Sequence, residues 1–189
     1  MKRMLFFGNS LTAGFGLANV SRDSLPSLIQ QKIKEEKFSF DVVNAGVSGD
    51  TSAGGLKRLE YWLSTPCDIF ILELGINDFL RGLPISLTYK NIDLIIKKVK
   101  NKYPRCKVVV MGMEVPNVFS LPKVQEFRNI FRQLAEEHNA VLIPFLLEGV
   151  AGVKHLNQND GIHPSHKGYQ VIAEKIWPTI RRLVMESLR

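Results

Sequence analysis

Apolar runs alternate with amphipathic stretches along the whole of this 189-residue chain. The runs are nearly continuous in hydrophobicity, which is typical of strands in a sheet that is covered on both faces. They predict strands at residues 4–7, 40–43, 69–74, 108–111 and 141–143. Between and after them, apolar residues recur at three- and four-residue spacing, and this spacing predicts helices. The predicted helices are residues 25–36, 56–63, 89–101, 124–137 and about 168–188.

Two of these helices have a well-defined apolar stripe, which we assign to the core. In the helix over residues 89–101 the stripe consists of Ile92, Ile95, Ile96 and Val99. In the last helix the residues predicted to face inward are Val171, Ile172, Ile176, Ile180, Leu183 and Val184. Pro178 lies within that helix and is expected to kink or interrupt it, because proline lacks the N–H group that a helix needs.

The alternation of strands and helices predicts a single α/β domain over residues 1–189. Right-handed crossovers between the strands give a parallel sheet with helices on both sides. Functional groups in such sheets gather in the loops at the carboxyl ends of the strands. Polar clusters follow each predicted strand, at residues 9–10, 48–51, 75–78, 113–116 and 160–163. We therefore expect these clusters to converge on one rim of the sheet.

The composition is that of an ordinary globular protein, with 45% hydrophobic and 23% charged residues. The net charge of +7 is compatible with an anionic partner such as a phospholipid headgroup, coenzyme A or nucleic acid. The basic residues are scattered along the chain, however, and this argues against nucleic-acid binding. Cys67 and Cys106 both precede predicted strands and have no metal-binding spacing. We expect reduced thiols in the core, with a disulfide as the alternative.

No apolar run approaches the roughly 20 residues of a membrane span, so stable membrane insertion is not expected. Lys2 and Arg3 make the start of the chain basic, but the apolar run after them ends at Phe7. That run is shorter than the roughly 7–15 residues of a signal-peptide core. The sequence as it stands predicts a cytoplasmic protein, or a periplasmic one if a leader has been removed.

Ser10 is a candidate nucleophile, because it follows a glycine that ends the first apolar run and is itself followed by small residues. Most Gly-x-Ser stretches are ordinary turns, so a catalytic role requires a base. His163 is the candidate, since Asp160 lies three residues before it on a polar loop. A carboxylate at that spacing can reach the imidazole Nδ1. The alternative is that Asp160 and Asn159 cap a turn and His163 is a surface residue.

Acyl transfer by a serine also requires hydrogen-bond donors for the oxyanion. Gly49 lies in a tight turn after the second strand, where a glycine lets a backbone N–H approach a ligand closely. Asn77 offers a side-chain amide after the third strand, and the Ser10 N–H is a third donor. Each has a structural alternative: Gly49 as a turn glycine, Asn77 as a polar loop residue, and Asp50 with Thr51 as a helix N-cap.

Four motifs in this order resemble those of the SGNH (GDSL-type) hydrolases, within them the bacterial thioesterase I, arylesterase and lysophospholipase group. The motifs occupy residues 8–14, 44–52, 73–82 and 160–164, and the resemblance covers essentially the whole chain. It implies a flavodoxin-like three-layer α/β/α fold and hydrolysis of esters or thioesters through an acyl-enzyme, without a metal or cofactor. It assigns Ser10 as nucleophile, His163 as base, Asp160 as its orienting carboxylate, and Ser10, Gly49 and Asn77 as the oxyanion hole.

One residue departs from the family pattern, because Asn9 stands where the motif normally has aspartate. An amide keeps the shape and an acceptor oxygen but loses the charge. We expect the fold to be unaffected and activity to survive with an altered pH profile. The alternative is a catalytically impaired binding module with the same fold. A flavin or nucleotide binder is disfavoured, since the first strand loop lacks a phosphate-binding glycine pattern.

Substrate choice is less well defined by the sequence. Phe15 and Leu17 after the nucleophile, with Phe119 and Leu121 in an apolar loop over residues 115–121, could line an acyl-binding groove or simply pack under the rim. An open apolar groove suits medium acyl chains or aryl esters better than sugar acetates. The expected partner is a small-molecule ester, thioester, acyl-CoA or lysophospholipid.

Overall fold

A computed structural model describes residues 1–114 and 122–188 of the chain. Within these residues, five strands form one sheet. The strands are β1 (Lys2–Gly8), β2 (Phe40–Gly46), β3 (Ile69–Glu73), β4 (Lys107–Met111) and β5 (Val141–Ile143). The helices are α1 (Ser10–Ala13), α2 (Val20–Asp23), α3 (Leu25–Glu35), α4 (Ser52–Trp62), α5 (Ile76–Leu80), α6 (Ile85–Lys102), α7 (Pro122–Glu137) and α8 (His166–Leu188), with a 3-10 turn at Lys154–Leu156.

The sheet is parallel throughout, with strand order β2-β1-β3-β4-β5. This is the flavodoxin-like order, and the predicted α/β/α fold is confirmed. The chain runs outward from β1 to one edge and then returns past β1 to build the other side. The loops after β2, β1 and β3 are therefore neighbours at the switch point, where ligands bind in such sheets.

The core explains why the strands read as continuous apolar runs. The side chains of Met4, Leu5, Phe6 and Phe7 have no exposed surface, and every residue of β3 is buried. Helix α3 packs with α8, whereas α4 packs with α6 and α6 with α7. With right-handed crossovers, these two groups cover opposite faces of the sheet. The predicted apolar stripe of α6 is buried, as expected.

Helix α8 differs from the prediction at Val171 and excludes one of the two effects expected of Pro178. Pro178 does not interrupt it, because the helix continues from His166 to Leu188 with the proline inside. Contacts with the end of α3, including hydrogen bonds from Trp177 and Arg181 to Glu36, hold both sides of the proline in place. Val171 was predicted to face inward but is exposed, although the other five predicted inward residues are buried.

Both cysteines lie just before strands, Cys67 before β3 and Cys106 before β4, at the amino-terminal edge of the sheet. Both are buried, and neither forms a disulfide, so both are free thiols. The pKa of the Cys106 thiol is raised by a hydrogen bond with Cys67 and by burial. Among the described residues, no helix is both long and apolar enough to cross a membrane.

Candidate active site

Ser10 is the first residue of α1, directly beyond the end of β1 at the switch point of the sheet. Asn9 caps the helix, because its Oδ1 accepts a hydrogen bond from the Leu11 N–H at 3.0 Å. Gly8 is required before it by close packing. A Cβ at Gly8 would lie 2.1 Å from Thr12 Oγ1 and 2.6 Å from Glu73 Oε2. The turn thus presents the Ser10 hydroxyl at the rim.

A continuous row of hydrogen bonds joins Asp160, His163 and Ser10. His163 Nε2 lies 2.9 Å from Ser10 Oγ, and His163 Nδ1 lies 2.6 Å from Asp160 Oδ2. Asp160 Oδ1 also accepts from the backbone N–H groups of Ile162 and His163, at 2.9 and 3.0 Å. Asp160 therefore caps its own turn and orients the imidazole at the same time, so a turn-capping role and a catalytic role are both compatible with its contacts.

The charge state of Asp160 follows from these contacts. Burial acts to raise the pKa of Asp160, but hydrogen bonds from the His163 ring and from the two backbone N–H groups lower it, with a net value of about 2. The carboxyl is consequently ionised at neutral pH. An ionised carboxylate fixes the imidazole tautomer and stabilises the imidazolium that forms when histidine takes a proton.

The candidate oxyanion donors follow three neighbouring strands: Gly49 after β2, Ser10 after β1 and Asn77 after β3. Gly49 has a φ of 77°, in the left-handed region that favours glycine. In the part of the chain that the structure describes, the N–H groups of Ser10 and Gly49 have no intramolecular acceptor. The Asn77 Nδ2 donates to Asp50 O at 2.9 Å, which leaves its second hydrogen for a ligand.

Arg58 of α4 ties the strand ends under this site together. Its guanidinium donates to Gly8 O at 3.0 Å, to Ala45 O at 2.8 Å and to Asp50 Oδ2 at 2.7 Å, and stacks over the Phe7 ring. One side chain thus joins the ends of β1 and β2 to the Gly49 turn. The suggested N-cap role is correct for Thr51, which accepts from the Gly54 N–H, whereas Asp50 forms the ion pair with Arg58.

Comparison with known proteins agrees with this geometry. Residues 6–171 match the model of the GDSL-like Lipase/Acylhydrolase family. The chain belongs to this family. It is 34% identical to Esterase TesA of Pseudomonas aeruginosa over 182 residues, 96% of this chain and 89% of that protein. It is 32% identical to thioesterase 1/protease 1/lysophospholipase L1 of Escherichia coli K12, over 96% of this chain and 84% of that protein.

The fold also matches a solved structure of the family. The crystal structure of the psychrotrophic esterase EstA from a Pseudoalteromonas species, inhibited by monoethylphosphonate, superposes with a TM-score of 0.88. It is 30% identical and covers 96% of this chain and 98% of its own. The expected SGNH fold and the assignment as an ester hydrolase of the GDSL type are confirmed by these relatives.

Two buried acids of this GDSL-type site received no role from the sequence. Asp78 accepts hydrogen bonds from Ser52 N at 2.8 Å and Ser52 Oγ at 2.6 Å, and so fixes α5 and its Asn77 against the start of α4. Glu73 lies fully buried at the end of β3 and bonds to Asn9 and Thr12. The available signal was a carboxylate inside an otherwise apolar strand, because a buried charge needs partners.

Exposed apolar side chains flank the candidate site. The Phe15 ring packs 4.8 Å from the His163 ring. Val47 and Ile162 are exposed on the loops that carry Gly49 and His163, and Leu80 is exposed on α5, the helix that carries Asn77. Leu17 is half-buried and packs against the core. The candidate residues Phe119 and Leu121 lie outside the described residues.

Two of the other histidines, His138 and His166, lie close to carboxylates that are distant in sequence. His138 is largely buried and lies 2.8 Å from Asp93, and His166 lies 3.3 Å from Asp23. Asp93, Glu137 and His138 form one group with metal-ligand spacing among residues 1–114 and 122–188. It lies on α6 and at the end of α7, away from the loops of the GDSL motifs, and its members already pair with one another and with neighbours.

Arg81 is a further residue with a role at the Gly49 turn. Its exposed guanidinium donates to Gly49 O at 2.7 Å and so holds the turn against the end of α5. We expect Arg81→Ala to lower kcat for an ester about tenfold with little change in KM, a fraction of the loss when an oxyanion donor itself is removed. Steady-state kinetics test this, with Arg105→Ala as an exposed control. An unchanged kcat would show that the turn holds without Arg81.

Proposed function

We propose that this GDSL-type hydrolase cleaves carboxylic esters and thioesters with short- to medium-chain acyl or aryl groups, through an acyl-enzyme on Ser10. The observation that carries the proposal is the hydrogen-bonded row from Asp160 through His163 to Ser10 at the switch point of the sheet. Family membership supports the reaction class, and the relatives named esterase and thioesterase support both oxygen and sulfur leaving groups.

Acylation begins when His163 Nε2 accepts the proton of the Ser10 hydroxyl as Oγ attacks the substrate carbonyl carbon. The carbonyl π electrons move onto oxygen, and the N–H groups of Ser10 and Gly49 and the Asn77 amide stabilise that oxyanion. Ionised Asp160 stabilises the imidazolium through Nδ1. When the oxyanion collapses, the bond to the alcohol or thiol breaks, and the imidazolium gives its proton to the leaving group.

Deacylation repeats these steps with water as nucleophile. His163 takes a proton from water, hydroxide oxygen attacks the acyl carbon, and the second oxyanion occupies the same donors. Collapse then releases the carboxylic acid and returns the proton to Ser10 Oγ. The same imidazole therefore acts first as base and then as acid in each half-reaction.

The alternative of an impaired binding module rests on Asn9. The contacts of Asn9 favour the enzyme instead, because its side chain caps α1 and holds the serine turn through acceptor and donor atoms together. A binding module also has no need for an ionised carboxylate that orients an imidazole toward a serine.

The substrate class is proposed from the rim. Phe15, Val47, Leu80 and Ile162 present apolar surface to solvent around the catalytic loops, and such surface binds acyl or aryl groups. The net charge of +7 is compatible with anionic substrates such as acyl-CoA or a lysophospholipid. The name of the Escherichia coli relative includes both thioesterase and lysophospholipase activities.

Hydrolysis of p-nitrophenyl esters from acetate to decanoate tests the substrate proposal. We expect kcat/KM to be higher for medium chains than for acetate. Leu80→Ser should lower kcat/KM for octanoate about five- to tenfold, as expected for the loss of one apolar contact, and leave acetate nearly unchanged. Leu94→Ser, at an exposed leucine of α6, serves as the control. A maximum at acetate with no effect of Leu80→Ser would contradict the apolar rim.

A further inference from the structure

Glu73 lies directly under the nucleophile turn, because it pairs with Gly8 in the register of β3 and β1. Its side chain is fully buried. Oε1 accepts a hydrogen bond from Asn9 Nδ2 at 2.7 Å. Oε2 accepts from the Asn9 N–H at 3.0 Å and from Thr12 Oγ1 at 2.9 Å. The carboxylate thus accepts hydrogen bonds from Asn9 and Thr12, the residues on either side of Ser10 and Leu11.

These contacts fix the orientation of the Asn9 amide. Its nitrogen must face Glu73, and its oxygen must face Leu11 N–H, from which it accepts at 3.0 Å. The same oxygen lies 3.4 Å from Ser10 Oγ. The position of the nucleophile therefore depends on an amide that is held at one end by Glu73 and at the other by the helix it caps.

We propose that Glu73 is a positioning residue that acts on Ser10 through Asn9, and that the two side chains work as one matched acceptor and donor pair. This inference rests on the proposed role of Ser10 and goes beyond it. Asparagine at position 9 is then the partner that an ionised Glu73 requires, rather than a simple loss of charge. The residue type that position 9 requires therefore depends on the residue type at position 73.

Neither single exchange between acid and amide can satisfy this arrangement. In Glu73→Gln, one end of the new amide is a donor, and it faces either Asn9 Nδ2 or the Asn9 N–H, which would then keep only its bond to the backbone oxygen of residue 73 at 3.2 Å. A 180° flip of the Asn9 amide would place its NH2 group against the Leu11 N–H, so that two donors would face each other there instead. In Asn9→Asp, two carboxylate oxygens would lie about 2.7 Å apart, and such a pair cannot be fully ionised. The pair must share a proton.

The double variant restores every hydrogen bond with the roles exchanged. The glutamine introduced by Glu73→Gln would donate from its amide nitrogen to a carboxylate at position 9. Its oxygen would accept from the backbone N–H of residue 9 and from Thr12. The carboxylate at position 9 would still accept from Leu11 N–H. The pair then carries the same single charge as Asn9 with ionised Glu73.

The ionisable surroundings of Glu73 set the pH range in which this pairing holds, because Asn9 matches the ionised form of the carboxyl. Burial raises the pKa of Glu73 to about 7, against the lowering effect of the hydrogen bonds from Asn9 and Thr12. On α8, burial and then the charges of Glu73 and Asp160 raise the pKa of Tyr169, which stays neutral and donates to Leu11 O at 3.0 Å. Because a second acid at position 9 would lie about 2.7 Å from the Glu73 carboxyl, we expect turnover of Asn9→Asp to fall as the pH rises and the shared proton is lost.

The test compares wild type with Asn9→Asp, Glu73→Gln and the double variant, through kcat and KM from pH 5 to 9 and through thermal unfolding midpoints. We expect Glu73→Gln to lower kcat about tenfold or more with KM nearly unchanged, as for lost positioning. Asn9→Asp should lose turnover at alkaline pH. The double variant should recover most of the wild-type kcat and pH profile, and its unfolding midpoint should exceed that of Glu73→Gln.

Controls separate this inference from the proposed function. Asp23→Asn removes another buried carboxylate, on α2, and should lower the unfolding midpoint without changing the pH profile of turnover. If the Glu73→Gln variant fails to fold while the double variant folds and hydrolyses ester, that result also supports the pairing. A double variant no better than Glu73→Gln in rate and midpoint overturns it. That result leaves the role of Ser10 intact, because only Ser10→Ala tests that role.

Discussion

Ser10→Ala is expected to lower kcat for p-nitrophenyl esters by about a million-fold, the order of loss when a triad nucleophile is removed. The alanine retains the β-carbon but has no oxygen to attack the carbonyl. Its N–H would remain as one of the proposed oxyanion donors, so substrate binding should persist and KM should change little. Steady-state and single-turnover kinetics with the preferred ester measure both quantities.

Ser48→Ala is the matched control, since Ser48 is an exposed serine on the adjacent loop before Gly49. Its loss should leave kcat within about twofold, as for most surface substitutions away from a site. If Ser48→Ala abolished turnover and Ser10→Ala did not, the nucleophile would be on the β2 loop. Equal activity of wild type and Ser10→Ala would contradict the acyl-enzyme on Ser10.

Asp160→Asn is expected to lower kcat by about ten-thousand-fold, as in other triads where the orienting acid becomes an amide. The asparagine can keep its oxygen on the N–H groups of Ile162 and His163, so the turn should remain. Its nitrogen then faces His163 Nδ1 as a donor, and this favours the imidazole tautomer that has no lone pair at Nε2. The base is held in place but cannot accept the serine proton.

Asp160→Ala provides a comparison, because it removes the turn contacts as well as the carboxylate. Circular dichroism and the unfolding midpoint should show a greater loss of loop order for alanine than for asparagine. In wild type the pKa of Asp160 is about 2, so the carboxylate persists down to about pH 3 and any loss of activity between about pH 5 and 7 belongs to another group. Wild-type kcat in Asp160→Asn would contradict the orienting role.

The arrangement of the sheet could be predicted because the sequence encodes it locally. Each strand is an apolar run, and each long helix has an apolar stripe at helical spacing. The short helices α1 and α5, of four and five residues, span too few positions for such a stripe to emerge. Pro178 was expected to kink or interrupt α8, and the helix is not interrupted, because packing against α3 outweighs the hydrogen bond that proline removes.

The hydrogen-bonded row of Asp160, His163 and Ser10 could be predicted because its parts are local or follow strands. Asp160 and His163 are three residues apart, and Ser10 follows β1 at the switch point. Whether Asp160 served the turn or the imidazole could not be decided from spacing, and the structure gives it both contacts.

The supporting contacts could not be predicted, because their partners are distant in sequence. Glu73 bonds to Asn9 across 64 positions, and Arg58 bonds to Gly8 across 50. A buried acid in a strand indicates that a partner exists but does not identify it. Asn9 therefore looked like a lost charge in the sequence, whereas the structure gives its amide nitrogen an acceptor.

Labelling with an alkylphosphonate tests the central claim most directly, since such reagents phosphonylate the activated serine of a serine hydrolase. Intact-mass and peptide-mapping spectrometry would follow wild type and Ser10→Ala side by side. Our account predicts one adduct per chain, located on Ser10, with loss of esterase activity in proportion to labelling and no adduct in Ser10→Ala. Full loss of activity with the adduct on another residue, or the same labelling in Ser10→Ala, would contradict it.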